Sequence, residues 1–72
     1  MQTYDLTIQA SQRPETLERL LRVIRHRGFT VVQLNAKSDG RVISLQVQVQ
    51  SERELPLLMH QLVKLPDVID VK

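Results

Sequence analysis

The segment Ile43-Ser44-Leu45-Gln46-Val47-Gln48-Val49-Gln50 alternates without a break, apolar at every odd position and polar but uncharged at every even one. A period of two puts successive side chains on opposite faces of a strand, so this strand has one dry face and one wet face. A sheet built on it can be covered on one side only. Any helices the chain supplies must lie together on that side. A second alternating segment agrees: Tyr4, Leu6, Ile8 and Ala10 share one face, and Thr3, Asp5, Thr7 and Gln9 share the other.

Ser11-Gln12-Arg13-Pro14 breaks the first alternation. Proline suits the first turn of a helix, where its missing N–H is not needed. Leu17, Leu20, Leu21 and Ile24 follow within one sector at about 100° per residue. Gly28 ends this helix as a left-handed cap, and Arg25, His26 and Arg27 fill its last turn, where positive charge suits the dipole. Phe29 to Ala36 form a second strand. Lys37-Ser38-Asp39-Gly40 supply the hairpin turn, with Gly40 able to take a positive φ. After the third strand, Ser51 and Glu54 have the spacing of a capping box. Leu55, Leu58, Met59, Leu62 and Leu65 make a second apolar stripe. Pro56 conflicts with an N-cap at Ser51, because it removes one of the first intrahelical bonds. Either the first turn is distorted or the helix starts a few residues later. Pro66 closes it, and Asp67 to Val71 form a short final strand.

The order is strand, helix, strand, strand, helix, strand. The expected fold is α+β: a ferredoxin-like βαββαβ sandwich, with a four-stranded antiparallel sheet and two helices on one face. Residues 1–72 make one domain with no internal linker. A chain this short hides only about 60% of its unfolded surface, so an oligomeric partner would add stability.

Several functions are not expected. There is no cysteine, hence no disulfide, thiol nucleophile or zinc-cysteine cluster. The net charge is only +2, and Tyr4 and Phe29 are the sole aromatics; single-strand nucleic-acid binders need aromatic platforms, so no nucleic-acid partner is expected. His26 and His60 stand alone, too few for a metal site. Asp5, Asp67 and Asp70 have no nucleophile or oriented base beside them, so no catalytic residue is expected. No apolar run approaches a membrane span, and the N-terminus lacks a basic stretch leading into an apolar one. The expected location is the cytoplasm, with no membrane partner.

Surfaces offer more than pockets do. Glu15–Arg19 and Glu18–Arg22 are i,i+4 pairs in the favourable order, worth about 0.3–0.5 kcal/mol each, and the arginine face is ordinarily solvated. Val23 and Leu57 lie off the main stripes of their helices. With Arg19 and Arg22 they are the candidate contacts to a partner chain. In a ferredoxin-like sheet strand two is an edge, and this one carries little charge before Lys37. An edge of that kind invites pairing. A homodimer is expected, with Phe29, Val31, Val32, Gln33 and Asn35 near its two-fold axis.

Two stretches resemble a known family. Pro14-Glu15-Thr16-Leu17-Glu18-Arg19-Leu20-Leu21-Arg22-Val23-Ile24-Arg25-His26-Arg27-Gly28-Phe29 is similar to the first helix of acetolactate synthase small subunits of the isozyme II type. Gln61-Leu62-Val63-Lys64-Leu65-Pro66-Asp67-Val68 resembles the exit of their second helix. These subunits are ACT domains. The resemblance implies a non-catalytic regulatory subunit that binds and activates a large subunit. Thiamine diphosphate, magnesium and FAD belong to that large subunit, with no cofactor on this chain. The pathway implied is the biosynthesis of isoleucine, valine and leucine. The resemblance also implies an effector loop at Gln12, Arg13, Pro14 and Glu15, completed by Thr30 across a dimer interface. Gln12, Glu15 and Thr30 depart from the asparagine, glycine and asparagine of valine-sensitive relatives. Glycine permits close backbone approach to a ligand; Glu15 does not, and it sets negative charge near a carboxylate. Valine insensitivity is therefore expected. The alternative is a free-standing ACT module that binds a small amino acid and regulates another protein.

Overall fold

A computed structural model describes all 72 residues. The elements are β1 (Gln2–Ser11), α1 (Thr16–His26), β2 (Thr30–Asp39), β3 (Val42–Ser51), α2 (Leu55–Val63) and β4 (Val68–Val71). One sheet holds the strands in the order β2-β3-β1-β4, and every neighbouring pair is antiparallel. This is the expected ferredoxin-like α+β arrangement, with β2 and β4 at the edges.

The register explains the core. Leu6 faces Val47 and Ile8 faces Leu45 across β1 and β3, so the two alternating patterns put their apolar sides together. Leu20 and Ile24 of α1 and Leu58 and Leu62 of α2 close over them, all buried. Each such side chain contributes roughly 1.5–3 kcal/mol of burial. The other sheet face stays polar. There Gln48 Nε2 donates to Asp5 Oδ1 at 3.2 Å and Gln50 Nε2 to Thr3 Oγ1 at 3.3 Å.

The ends of the elements differ from expectation in four places. The cause in each is a partner distant in sequence or a stricter turn. First, α1 begins at Thr16, and Pro14 sits in the turn before it, closed by Thr16 N–H to the Arg13 carbonyl at 3.1 Å. Second, the hairpin is tighter. Asp39 still pairs with Val42, so Gly40 and Arg41 alone make the turn. Gly40 has φ +63° and Arg41 a negative φ, the sign pattern of a type II′ loop, which matches the twist of the flanking strands.

Third, Ser51 is not the N-cap of α2. It is the buried last residue of β3. Its hydroxyl donates to the Gly28 carbonyl at 2.8 Å and accepts from the Arg53 N–H at 3.0 Å. The helix starts later, at Leu55, with Pro56 in its first turn, where proline is tolerated. Fourth, β4 starts at Val68. Asp67 is instead a buried polar residue. Ala10 pairs with Val68 but Gln9 with Asp70, so Ile69 is an extra residue in a bulge and is left exposed.

The α1 terminus agrees with its sequence signal. Gly28 has φ +86°. Phe29 N–H reaches the Ile24 carbonyl at 3.1 Å and Gly28 N–H the Arg25 carbonyl at 3.0 Å, the two bonds of a Schellman ending.

Candidate functional site

The β1–α1 loop, Gln12 to Glu15, is exposed yet tied down at both ends. Ser11 N–H donates to the Asp67 carbonyl at 2.7 Å and Gln12 N–H to the Arg41 carbonyl at 2.7 Å. Thr16 Oγ1 donates to the Ser11 carbonyl at 2.8 Å. Asp67 is the anchor beneath the loop. Its carboxylate receives Arg19 at 2.8 Å and stands 3.6 Å from Arg13. Arg19 also lies 3.8 Å from Glu15. The three buried polar residues, Thr16, Ser51 and Asp67, all have bonded partners.

Thr30, the remaining effector position, is not beside this loop. Ser11 pairs with Val42 of β3, whereas Thr30 pairs with Gln50. Eight residues of strand separate them, about 26 Å. One chain therefore cannot assemble the loop and Thr30 into a single site. A second chain would have to bring its own β2 alongside.

The candidate partner contacts separate into two kinds. Arg19 is occupied by Asp67 and Glu15. Val23 is half-buried and packs against the core, leaving only part of its side chain exposed. Arg22 and Leu57 remain exposed, Leu57 at 55%.

The expected dimer edge also divides. Phe29 precedes β2 and is 2% exposed, its ring 6.3 Å from that of Tyr4. It is a core residue rather than an edge contact. Val31 is half-buried against the core, while Gln33 and Asn35 are exposed on the polar sheet face. Val31 pairs with Val49 and Gln33 with Gln48, so Val32 is an extra residue in a bulge, 44% exposed. Between α1 and β2 runs an open groove of about 820 Å³, with Leu21, Val31 and Leu34 along it and Glu18, Arg22 and Arg25 at its rim. A smaller hollow, about 280 Å³, lies on the polar sheet face among Asp5, Gln46 and Gln48.

Neither hollow gathers a nucleophile, a base and an oriented partner. The geometry offers surfaces and a strand edge. The ACT domain family model matches residues 12–71. Over 99% of its length the chain is 47% identical to the acetolactate synthase isozyme 2 small subunit of Escherichia coli K12, covering 84% of that protein. The chain belongs to the ACT-domain family of acetolactate synthase small subunits. The same identity and coverage hold for the isozyme 2 small subunit of Shigella flexneri. The acetolactate synthase small subunit of Thermotoga maritima superposes with a TM-score of 0.86 at 15% identity, over 100% of this chain and 47% of that one. The ACT domain of a Chlorobium tepidum GTP pyrophosphokinase gives 0.84 at 14% identity, over 97% and 94%. At these identities the two structures speak for the fold alone, and both agree with the expected one.

Proposed function

We propose that this chain is the non-catalytic regulatory subunit of an acetolactate synthase, binding the large subunit and raising its activity by favouring its active arrangement. A ligand shifts a conformational equilibrium only by its differential affinity for the two states, so the active state must present the better surface. The observation that carries this reading is the 47% identity to an isozyme 2 small subunit along nearly the whole chain. The large subunit supplies thiamine diphosphate, magnesium and FAD, and the pair works in the cytoplasm.

The chain acts as a homodimer through β2. Val32 is exposed in that edge strand, and the groove between α1 and β2 has an apolar floor. Glu18 and Arg25 lie symmetrically about Leu21 and Arg22. Two α1 helices brought together antiparallel around that midpoint would pair each Glu18 with the other chain's Arg25. Such a dimer also supplies the second Thr30 that the loop lacks. The loop is poorly suited to valine all the same: Pro14 has no N–H to offer, and Glu15 brings a carboxylate to the helix N-terminus that an anion would need.

The test is reconstitution. Purified large subunit from the same source is assayed for acetolactate formation with and without the chain. A saturable increase is expected; an unchanged rate and affinity would reject the reading.

A further inference from the structure

The helix layer has a second adhesive surface, away from the β2 edge. α2 is apolar nearly all round: six of its nine residues are Leu, Met or Val and none is charged. A helix of that composition is ordinarily covered on every side, yet Leu57 and Val63 are each more than half exposed. Beyond Leu57 along the helix the exposed charge is positive. No acidic residue occurs between Glu18 and Asp39, nor from Leu55 to Pro66. Gln61 lies one turn beyond Leu57 and accepts from Arg27 at the end of α1, 3.0 Å away. Lys64 follows at the end of α2. Glu52 and Glu54, in the connection before α2, bound this field at one end.

A second copy of the chain has its place at the β2 edge proposed above. A closed two-fold dimer uses one self-complementary patch, and a second self-contact would build a larger assembly, a closed tetramer or an open filament. The β2 edge and the α2–β4 side lie at opposite margins of the sheet, so the dimer leaves this surface uncovered. A nucleic acid would answer the charge but not the exposed leucine at its centre. We propose that the outer face of α2, with the adjoining end of α1, docks on the large subunit: Leu57 enters an apolar pocket, and Arg27 and Lys64 meet carboxylates at its rim. This rests on the regulatory-subunit reading above and names the surface that serves it.

The experiment measures binding of the full chain to the large subunit by calorimetry, for the wild type, Leu57→Glu and Lys64→Glu. Both positions are exposed, and unchanged melting temperatures establish folding. Leu57→Glu is expected to weaken binding by about tenfold or more, as for a central interface anchor. Lys64→Glu is expected to weaken it less and to flatten its dependence on salt. Sedimentation of the chain alone stays unchanged in both. If the wild type binds and both variants bind equally well, this surface is wrong and the regulatory reading stands. If the wild type does not bind, both fall. A change in the chain's own oligomeric state would assign the surface to a second copy and overturn the proposal. So would retention of RNA by the wild type and its loss in Lys64→Glu.

Discussion

Replacing Gly28 with alanine separates backbone strain from side-chain crowding at the junction of α1 and β2. Gly28 holds φ +86°, and a Cβ there would lie 2.6 Å from Arg53 Nε. The left-handed conformation costs a residue with a Cβ about 1–2 kcal/mol. Alanine's lower entropy in the unfolded chain offsets roughly 0.4–1 kcal/mol of that. The steric part is small, because Arg53 is exposed and its guanidinium can swing into water. The net loss is about 1 kcal/mol, which lowers the melting temperature by about 4–8 °C in a domain of this size. Urea unfolding of the wild type, Gly28→Ala, Arg53→Ala and the double variant measures this. All are compared at one protein concentration, since self-association links stability to concentration. Full recovery of Gly28→Ala stability in the Arg53→Ala background would refute the strain account and make the clash the cause. Wild-type stability of Gly28→Ala alone would refute both.

Three further outcomes follow from the same geometry. Asp67→Ala removes the anchor shared by Arg19 and Arg13 and should cost about 1–3 kcal/mol; the lower half of that range is expected because Arg19 is 41% exposed and screened by water, and urea unfolding reads it. Val32→Lys puts a charge in the edge bulge and should turn the dimer into a monomer at tens of micromolar by sedimentation, with the fold intact by circular dichroism. Valine titrated calorimetrically should show no saturable binding at micromolar concentration, whereas a variant restoring glycine and asparagine at Glu15 and Gln12 should gain heat of binding.

The periodic parts of the fold were legible because their cause is local. Alternation along β1 and β3, with one stripe on each helix, is enough to place both helices on one sheet face. Gly28 and Gly40 announce their turns through the one conformation that disfavours every other residue. The misread positions depend on distant neighbours. Ser51 carries a capping signature, but its hydroxyl is used by Gly28, 23 residues away. Asp67 looks like the start of a strand, and its partner Arg19 lies 48 residues back. Val23 falls outside the main stripe of its helix, yet it is half-buried against the core. Phe29 adjoins an edge strand and is nonetheless core, held by the α1 ending with its ring beside Tyr4 of β1. The bulges at Val32 and Ile69 leave no mark in the sequence, since each is a mismatch in length between two strands.

Hydrogen exchange of the chain, free and saturated with large subunit, tests most directly whether it works through its helix layer. Slower exchange of the α2 amides in the complex, with the centre of β3 unchanged, is the predicted result. Identical exchange along α1 and α2 in both states, under conditions where the large subunit is demonstrably bound, would contradict it.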